Sequence, residues 1–223
     1  MRATSINPSF SIKKAHETQQ RMAKRIIKKD ALPRGIQLVA GVDVTYWQDC
    51  SVGAVAVLDF ESLELVESQT SICRTRFPYI PTLLSFREVP PAVLAIKKLA
   101  KLPDVFLVDG QGYAHPYRCG FASHLGLVLN KPTIGVAKTR LLGKPEPQRD
   151  NSDISFLKHE GEVICAAVTT KRGSRPVYVS IGHMTSLETA SEIVKHCTPN
   201  HRVPEPILMA HRVADAEKRK INN

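Results

Sequence analysis

The chain of 223 residues has five cysteines, Cys50, Cys73, Cys119, Cys165 and Cys197, widely spaced and without a C-x-x-C pair. That usage excludes a disulfide framework and a zinc knuckle, and it fits a reducing compartment. No apolar run approaches the roughly 18 residues of a membrane span, and the N-terminus lacks an apolar signal segment, so a soluble cytoplasmic protein is expected. No G-x-S-x-G nucleophile elbow occurs, the histidines lack zinc-motif spacing, and there is no internal repeat. Gly110-x-Gly112 resembles the start of a dinucleotide fingerprint, but His115 stands in the third-glycine place and Pro116 follows, which excludes nicotinamide or flavin binding. Acids are in deficit: 21 Asp and Glu against 31 Lys and Arg give a net charge of +10. A polyanionic partner such as nucleic acid follows, with plain solubility as the alternative.

What is present suffices for one domain over residues 1–223, since 43% of the chain is hydrophobic. Ser11 to Asp30 has apolar residues on one face and lysines and arginines on the others, predicting a basic amphipathic helix over about 11–30. Three β-like runs follow, Ile36 to Tyr46, Val52 to Phe60 and Leu63 to Ile72. Their connections are too short for helical crossovers, so they form an antiparallel meander. The period then turns helical. Pro90-Pro91 suits a first helical turn, which predicts a short helical turn ending near Glu88 and a longer helix starting at the prolines. Strand Val105 to Val108, helix Phe121 to Leu129 and strand Thr133 to Ala137 make a right-handed β-α-β unit. Leu142 to Asp153 reads as a polar surface loop. Glu162 to Thr169 and Pro176 to Ile181 read as a hairpin around Lys171-Arg172-Gly173-Ser174. Thr185-Ser-Leu-Glu188 has capping-box spacing for a helix to Cys197, and a last helix spans about Pro206 to Lys218, leaving a frayed tail at 219–223.

The buried-strand pattern Val105-Phe-Leu-Val ends abruptly at Asp109 on a glycine-flanked turn. Open α/β sheets bind ligands at that end of a strand. Asp43 in Val-Ala-Gly-Val-Asp-Val is a second strand-borne acid, and Glu88 a third on a helical segment between them. Three convergent acids suggest a divalent metal site. Mg²⁺ is a hard ion that takes oxygen ligands and keeps water, so a few carboxylates on rigid elements are its expected protein share. Asp43 and Asp109 are candidate direct ligands, and Glu88 either completes the site or orients water. Phosphodiester hydrolysis then needs a counter-charge for the transition state, for which Lys138 is a candidate. His115 is a candidate for phosphate contact or proton transfer. Each has a plainer reading: a strand-end Asp caps a turn, Glu88 pairs with Arg87, Lys138 ends a strand, and His115 sits in a surface loop.

Specific blocks occur in order: Gly41-Val-Asp43-Val, Pro78-Tyr79-Ile80-Pro81, Leu83-Leu84-x-Phe86-Arg87-Glu88, and Asp109-Gly-Gln-Gly-x-Ala-His115-Pro-x-Arg118. Ala122-Ser-His124-Leu-Gly126, Pro132 to Leu141 and Pro176 to His183 continue the series. Over about residues 10 to 218 the chain closely resembles endonuclease V. The resemblance implies a ribonuclease H-like α/β fold: a mixed central sheet with an antiparallel three-strand meander and parallel strands flanked by helices. It implies a Mg²⁺-dependent repair endonuclease, with Mn²⁺ expected to substitute. Such an enzyme recognises deoxyinosine and cuts the second phosphodiester bond on its 3′ side, leaving 3′-hydroxyl and 5′-phosphate. The implied wedge is Pro78, Tyr79, Ile80 and Pro81, with Tyr79 entering the duplex where the base leaves; a loop aromatic packed on the core is the alternative. Backbone around Gly110 and Gly112 would read the flipped base. Thr82 and Val89 stand where the family usually has glycine, and side chains there are expected to narrow the pocket. The implied partner is deoxyinosine DNA, bound by a monomer. An inosine-specific endoribonuclease and a non-catalytic nucleic-acid-binding module are the other two readings.

Overall fold

A computed structural model of the protein describes residues 11–146, 153–171 and 173–222. The expected loop at 142–153, the turn at Arg172 and the end of the tail at Asn223 therefore fall partly outside the described residues. β1 (Leu38–Trp47), β2 (Cys50–Asp59) and β3 (Leu65–Arg74) form the meander. β4 (Val105–Asp109) runs parallel to β1, and β5 (Thr133–Ala137) parallel to β4, with α3 (Phe121–Leu129) as the crossover. Beyond β5 lie β9 (Val177–His183), β8 (Glu162–Val168), β7 (Ile154–His159) and the two-residue β6 (Lys144–Pro145), all antiparallel to their neighbours. Among the described residues the sheet has nine strands in the order β3-β2-β1-β4-β5-β9-β8-β7-β6.

The central strands are apolar on both sides because helices cover both sides. Ala40, Val42, Phe106 and Val108 pack with α2 (Leu84–Ile96) and α3. The alternate residues Val39, Val105 and Leu107 pack with α4 (Leu187–His196) and α5 (Glu205–Asn222). The three layers are helix, sheet and helix, and α1 (Ile12–Ala23) contributes to neither of these apolar cores, burying only Ala15 and Gln19.

Five features differ most from expectation. α1 ends at Ala23, not near Asp30, because Arg25 and Ile26 turn back onto Met22 and Ala23. The chain is then claimed by the end of β9, through Ile27 N–H to His183 Nδ1 and backbone bonds joining Met184 to Ile27 and Ala31. α2 is one helix through Pro90 and Pro91, so Glu88 sits inside it and not at a junction. Prolines inside a helix cost about 3 kcal/mol or more, but Ser71 Oγ–H donates to Pro91 O at 2.6 Å, and Val89, Ala92, Ala95 and Ile96 are buried. Tertiary packing overrides the local break. β7 falls where no strand was expected, since only Leu157 of its six residues is buried and no alternation advertises it. α5 continues to Asn222 past the expected stop at Lys218, its Arg219 and Lys220 lying at the negative end of the helix dipole. The cap of α4 is Ser186, not Thr185, whose hydroxyl is buried against Thr133 O.

Gly41 fixes the seat of α5. A Cβ there would lie 1.8 Å from Pro206 O, a clash with backbone that no rotamer relieves. Gly41→Ala is expected to cost about 3 kcal/mol or more and to lower the melting temperature by roughly 5–10 °C. Thermal denaturation followed by circular dichroism checks this, and an unchanged midpoint refutes the close seating.

Candidate active site

The parallel register sets Val39 beside Val105 and Val42 beside Val108. The next rung therefore places Asp43 beside Asp109, on strands about 4.8 Å apart, with both side chains toward the same face. Glu88 reaches the same strand ends from α2 on the other face. Asp43 and Glu88 are each 8% exposed, and the Asp109 side chain 16%. Burial pushes the Glu88 carboxyl up to about 8, with the Asp43 and Asp109 charges adding to the effect against a hydrogen bond from Tyr46. Burial also raises Asp109, with Asp43 adding and Lys138 opposing. Glu88 and Asp109 are thus held up first by burial and further by neighbouring negative charge.

Each acid is turned toward a different partner. Lys138 Nζ donates to Asp109 Oδ2 at 2.6 Å, Tyr46 O–H donates to Glu88 Oε1 at 3.3 Å, and His211 Nδ1 lies 2.8 Å from Asp43 Oδ2. Among the described residues no three His, Cys, Asp or Glu side chains close into a ready-made metal cage. The donor set nonetheless fits a hard divalent cation. Mg²⁺ needs only one or two direct carboxylates and keeps several waters, and a positive ion offsets the burial and the neighbouring negative charges that raise Glu88.

A cleft of about 460 Å³ is lined by both Glu88 and Asp109 and by the wedge segment, while Asp43 on the neighbouring strand does not line it. Its lining includes Glu88, Asp109, Gly110, Lys138 and Arg140 together with Tyr79, Ile80, Pro81 and Thr82. Tyr79 is 67% exposed, which removes the reading of a ring packed on the core. Pro78 is half-buried at the root of the segment. Lys138 lies at the mouth with its side chain 46% exposed.

Two glycine expectations separate. Gly110 lines the cleft, but Gly112 does not. A Cβ on Gly112 would lie 2.2 Å from Ile181 O, its N–H already donates to buried Ser180 Oγ at 2.8 Å, and its carbonyl accepts from Gly120 N–H. Gly112 is required for packing against β9 and has no free backbone group for a base. Val89 likewise packs in the α2 core at 6% exposure, so of the two non-glycine positions only Thr82 faces the cleft. His115 is 5% exposed and is not a surface-loop imidazole. Burial lowers its pKa to about 4, opposed by a hydrogen bond to the Thr82 backbone, so the ring is neutral at pH 7. His124 is also neutral, lowered to about 4 by burial, and its Nδ1 is hydrogen-bonded to Ser85 Oγ.

His211 and Asp215 are additions that the reading of acids along the chain missed. His211 bridges Asp43 and Asp215, the second contact at 3.4 Å. The i,i+4 spacing of the two on a predicted helix was the available signal. Tyr46, under the Arg87 guanidinium at 4.0 Å, is the other, and it carried no sequence signal.

Acids that fit a hard cation, two of them lining a cleft with lysine and arginine beside them, suit hydrolysis of a phosphodiester. Together with the β3-β2-β1-β4-β5 order they define a nuclease of ribonuclease H-like fold. The endonuclease V family profile matches residues 20–212. The chain is 43% identical over 220 residues to endonuclease V of Thermofilum pendens, covering 98% of this chain and 94% of that protein. It is 44% identical over 208 residues to endonuclease V of Trichormus variabilis, covering 92% and 94%. The crystal structure of endonuclease V from Streptomyces avermitilis superposes with a TM-score of 0.89 at 33% identity, covering 99% of this chain and 100% of that one. Ciona intestinalis endonuclease V, crystallised with a 24mer DNA containing an inosine followed by a ribo-adenosine, superposes with a TM-score of 0.85 at 33% identity, covering 94% and 98%. This chain belongs to the endonuclease V family.

Proposed function

We propose that the protein works as one unit that finds deoxyinosine in DNA and hydrolyses the second phosphodiester bond on its 3′ side, leaving 3′-hydroxyl and 5′-phosphate. The observation that carries the reading is the cleft joining an exposed tyrosine wedge to the acid cluster. Tyr79, braced by Pro78, Ile80 and Pro81, enters the stack where the lesion leaves, at a cost that is least for a mispaired base. The backbone at Gly110 lies close enough to the cleft for peptide groups to meet the flipped base.

Asp43 and Asp109, with Glu88, would hold Mg²⁺, Mn²⁺ substituting, and the ion supplies charge stabilisation at the phosphoryl oxygens and a more acidic water. Lys138, drawn to Asp109 in the free protein, turns to the scissile phosphate when DNA fills the cleft. Glu88 in its ionised form orients the attacking water. His211 holds the Asp43 carboxylate in place through its 2.8 Å contact. His115 stays neutral and supports the wedge through Thr82. The excess of positive charge gives salt-sensitive binding by a monomer. The expected location is the cytoplasm; among the described residues no helix is long and apolar enough to cross a membrane.

Purified protein with Mg²⁺ should nick a duplex carrying one deoxyinosine and spare the matched duplex without it; equal cutting of both overturns the lesion specificity. A second reading, inosine in RNA, is favoured by the Ciona protein having been crystallised with a ribonucleotide directly after the inosine. Faster cleavage of single-stranded inosine RNA than of inosine DNA would put that reading first.

A further inference from the structure

Thr82 follows the wedge with φ +72°, in the left-handed region that is a true outlier for a β-branched residue. Such a backbone persists only where its surroundings over-determine it. Here three side chains do so. Gln19, fully buried on α1, donates from Nε2 to Thr82 O at 2.8 Å and to Cys119 O at 3.0 Å. His16, one turn earlier, is hydrogen-bonded through Nε2 to Thr82 Oγ1 at 2.9 Å and stacks on Tyr117 with ring centroids 4.0 Å apart. His115 adds its bond to the Thr82 backbone.

Gln19 therefore ties together the two walls of the cleft: the wedge at 78–82 and the loop that follows Asp109. The two carbonyl acceptors fix which end of its amide faces them. Apart from the Gln19 and His16 contacts, α1 buries little. Its buried residues are Ala15 and Gln19 alone, and Ile12, its largest aliphatic near the N-terminus, is 48% exposed. A fully buried glutamine is costly unless its bonds are made; its two N–H bonds are made while Oε1 has no partner among the described residues, so the seat depends on those two bonds.

We propose that His16 and Gln19 are positioning residues for lesion recognition. Acting through Thr82, they hold the wedge in the raised conformation that enters the duplex, and they take no part in hydrolysis. The inference rests on the wedge reading of Tyr79. Residue 82 is then a place where a side chain trades backbone ease for a handle that α1 grips.

The distinguishing substrates carry the same deoxyinosine in a fully paired duplex and in an unpaired single strand. Opening the duplex is needed only for the first. Gln19→Met keeps the length of the side chain and removes both donors. His16→Phe keeps the ring over Tyr117 and removes the bond to Thr82. Each is expected to lose about 10-fold in kcat/KM on the paired duplex and less than about 3-fold on the single strand. In Thr82→Gly, where the backbone is relaxed and the hydroxyl gone, adding His16→Phe should cost nothing further on either substrate. Equal losses on both substrates, or none on either, overturn the proposal. Hydrogen exchange separates this from failure of the deoxyinosine reading. If the wild type cuts neither substrate, that reading falls, while about 5-fold faster exchange at the Thr82 to Leu84 amides in Gln19→Met still supports the grip. Unchanged exchange there overturns it. His16→Phe, which leaves Gln19 in its seat, gives the same readout should Gln19→Met fail to fold.

Discussion

Asp109→Asn is expected to reduce Mg²⁺-dependent cleavage by about 10³-fold or more, and in EDTA to bind the same duplex about 3-fold more tightly. The two effects have opposite sign because the carboxylate plays opposite parts with and without a cation. Without one, its negative charge sits at the mouth of the cleft and holds Lys138 at 2.6 Å, so it repels phosphate and occupies a lysine that would otherwise meet it. Asparagine is isosteric and keeps an oxygen for Lys138, so the fold is not at stake, but it gives up the charge. With a cation the charge is the reason for the site: Asp43 lies on the neighbouring strand and Glu88 on the helix opposite, and an amide cannot replace an anionic ligand for a hard ion. Single-turnover cleavage and fluorescence anisotropy in EDTA read the two halves separately. Cleavage within tenfold of the wild type would show that Asp109 is dispensable, and a loss of binding would show that the variant has damaged the cleft.

The parts of this protein that were readable beforehand are those where a local pattern and the tertiary environment agree. Val105 to Asp109 is apolar on both faces and ends at an acid, and it is a central strand ending at the site. The short connections after Tyr46 and Phe60 could only be hairpins, and the meander followed. What escaped depends on long-range contacts. Pro90-Pro91 is a stop signal until Ser71 and the packing against β2 hold the helix through it. The residues after Ala23 continue the amphipathic pattern, but His183 and Met184 pull the backbone away. β7 has one buried residue, and its existence is decided by β8. At the site the acids Asp43, Glu88 and Asp109 were readable as strand and helix positions, whereas their hydrogen-bond partners were not. His211 comes from the last helix, 168 residues beyond Asp43. Gly112 illustrates the converse error: a glycine in a recognition motif serves the packing of β9, and of the two glycines Gly110 alone faces the cleft.

The same electrostatic conflict that suits the site to a cation should make it a measurable weakness of the metal-free protein. The Glu88 carboxyl lies at about 8 against an ordinary 4.5, raised by burial first and then by Asp43 and Asp109. Between those two values the native state keeps a proton that the unfolded chain has released. The stability this group contributes is therefore fully present below about pH 4.5 and is lost as pH rises to about 8, an effect on the order of a few kcal/mol. Glutamine cannot ionise and still offers an oxygen to the Tyr46 hydroxyl, so Glu88→Gln should melt near the wild type at pH 5. At pH 8.5 in EDTA it should melt higher, by roughly 5–10 °C. Millimolar Mg²⁺ should raise the wild type at pH 8.5, because the ion favours the ionised carboxylate, and leave the variant nearly unmoved. Cleavage, which is read with Mg²⁺ present, should follow the reverse order: wild-type activity climbs with pH as the carboxylate forms, at a pH below the metal-free value of about 8 because the ion favours the ionised form, and the more stable variant stays far below it. Melting curves from pH 5 to 9 with and without Mg²⁺ decide the matter. Parallel curves for the two proteins would mean that Glu88 is ionised throughout, and that the acids at this strand end do not share the strain that a metal would relieve.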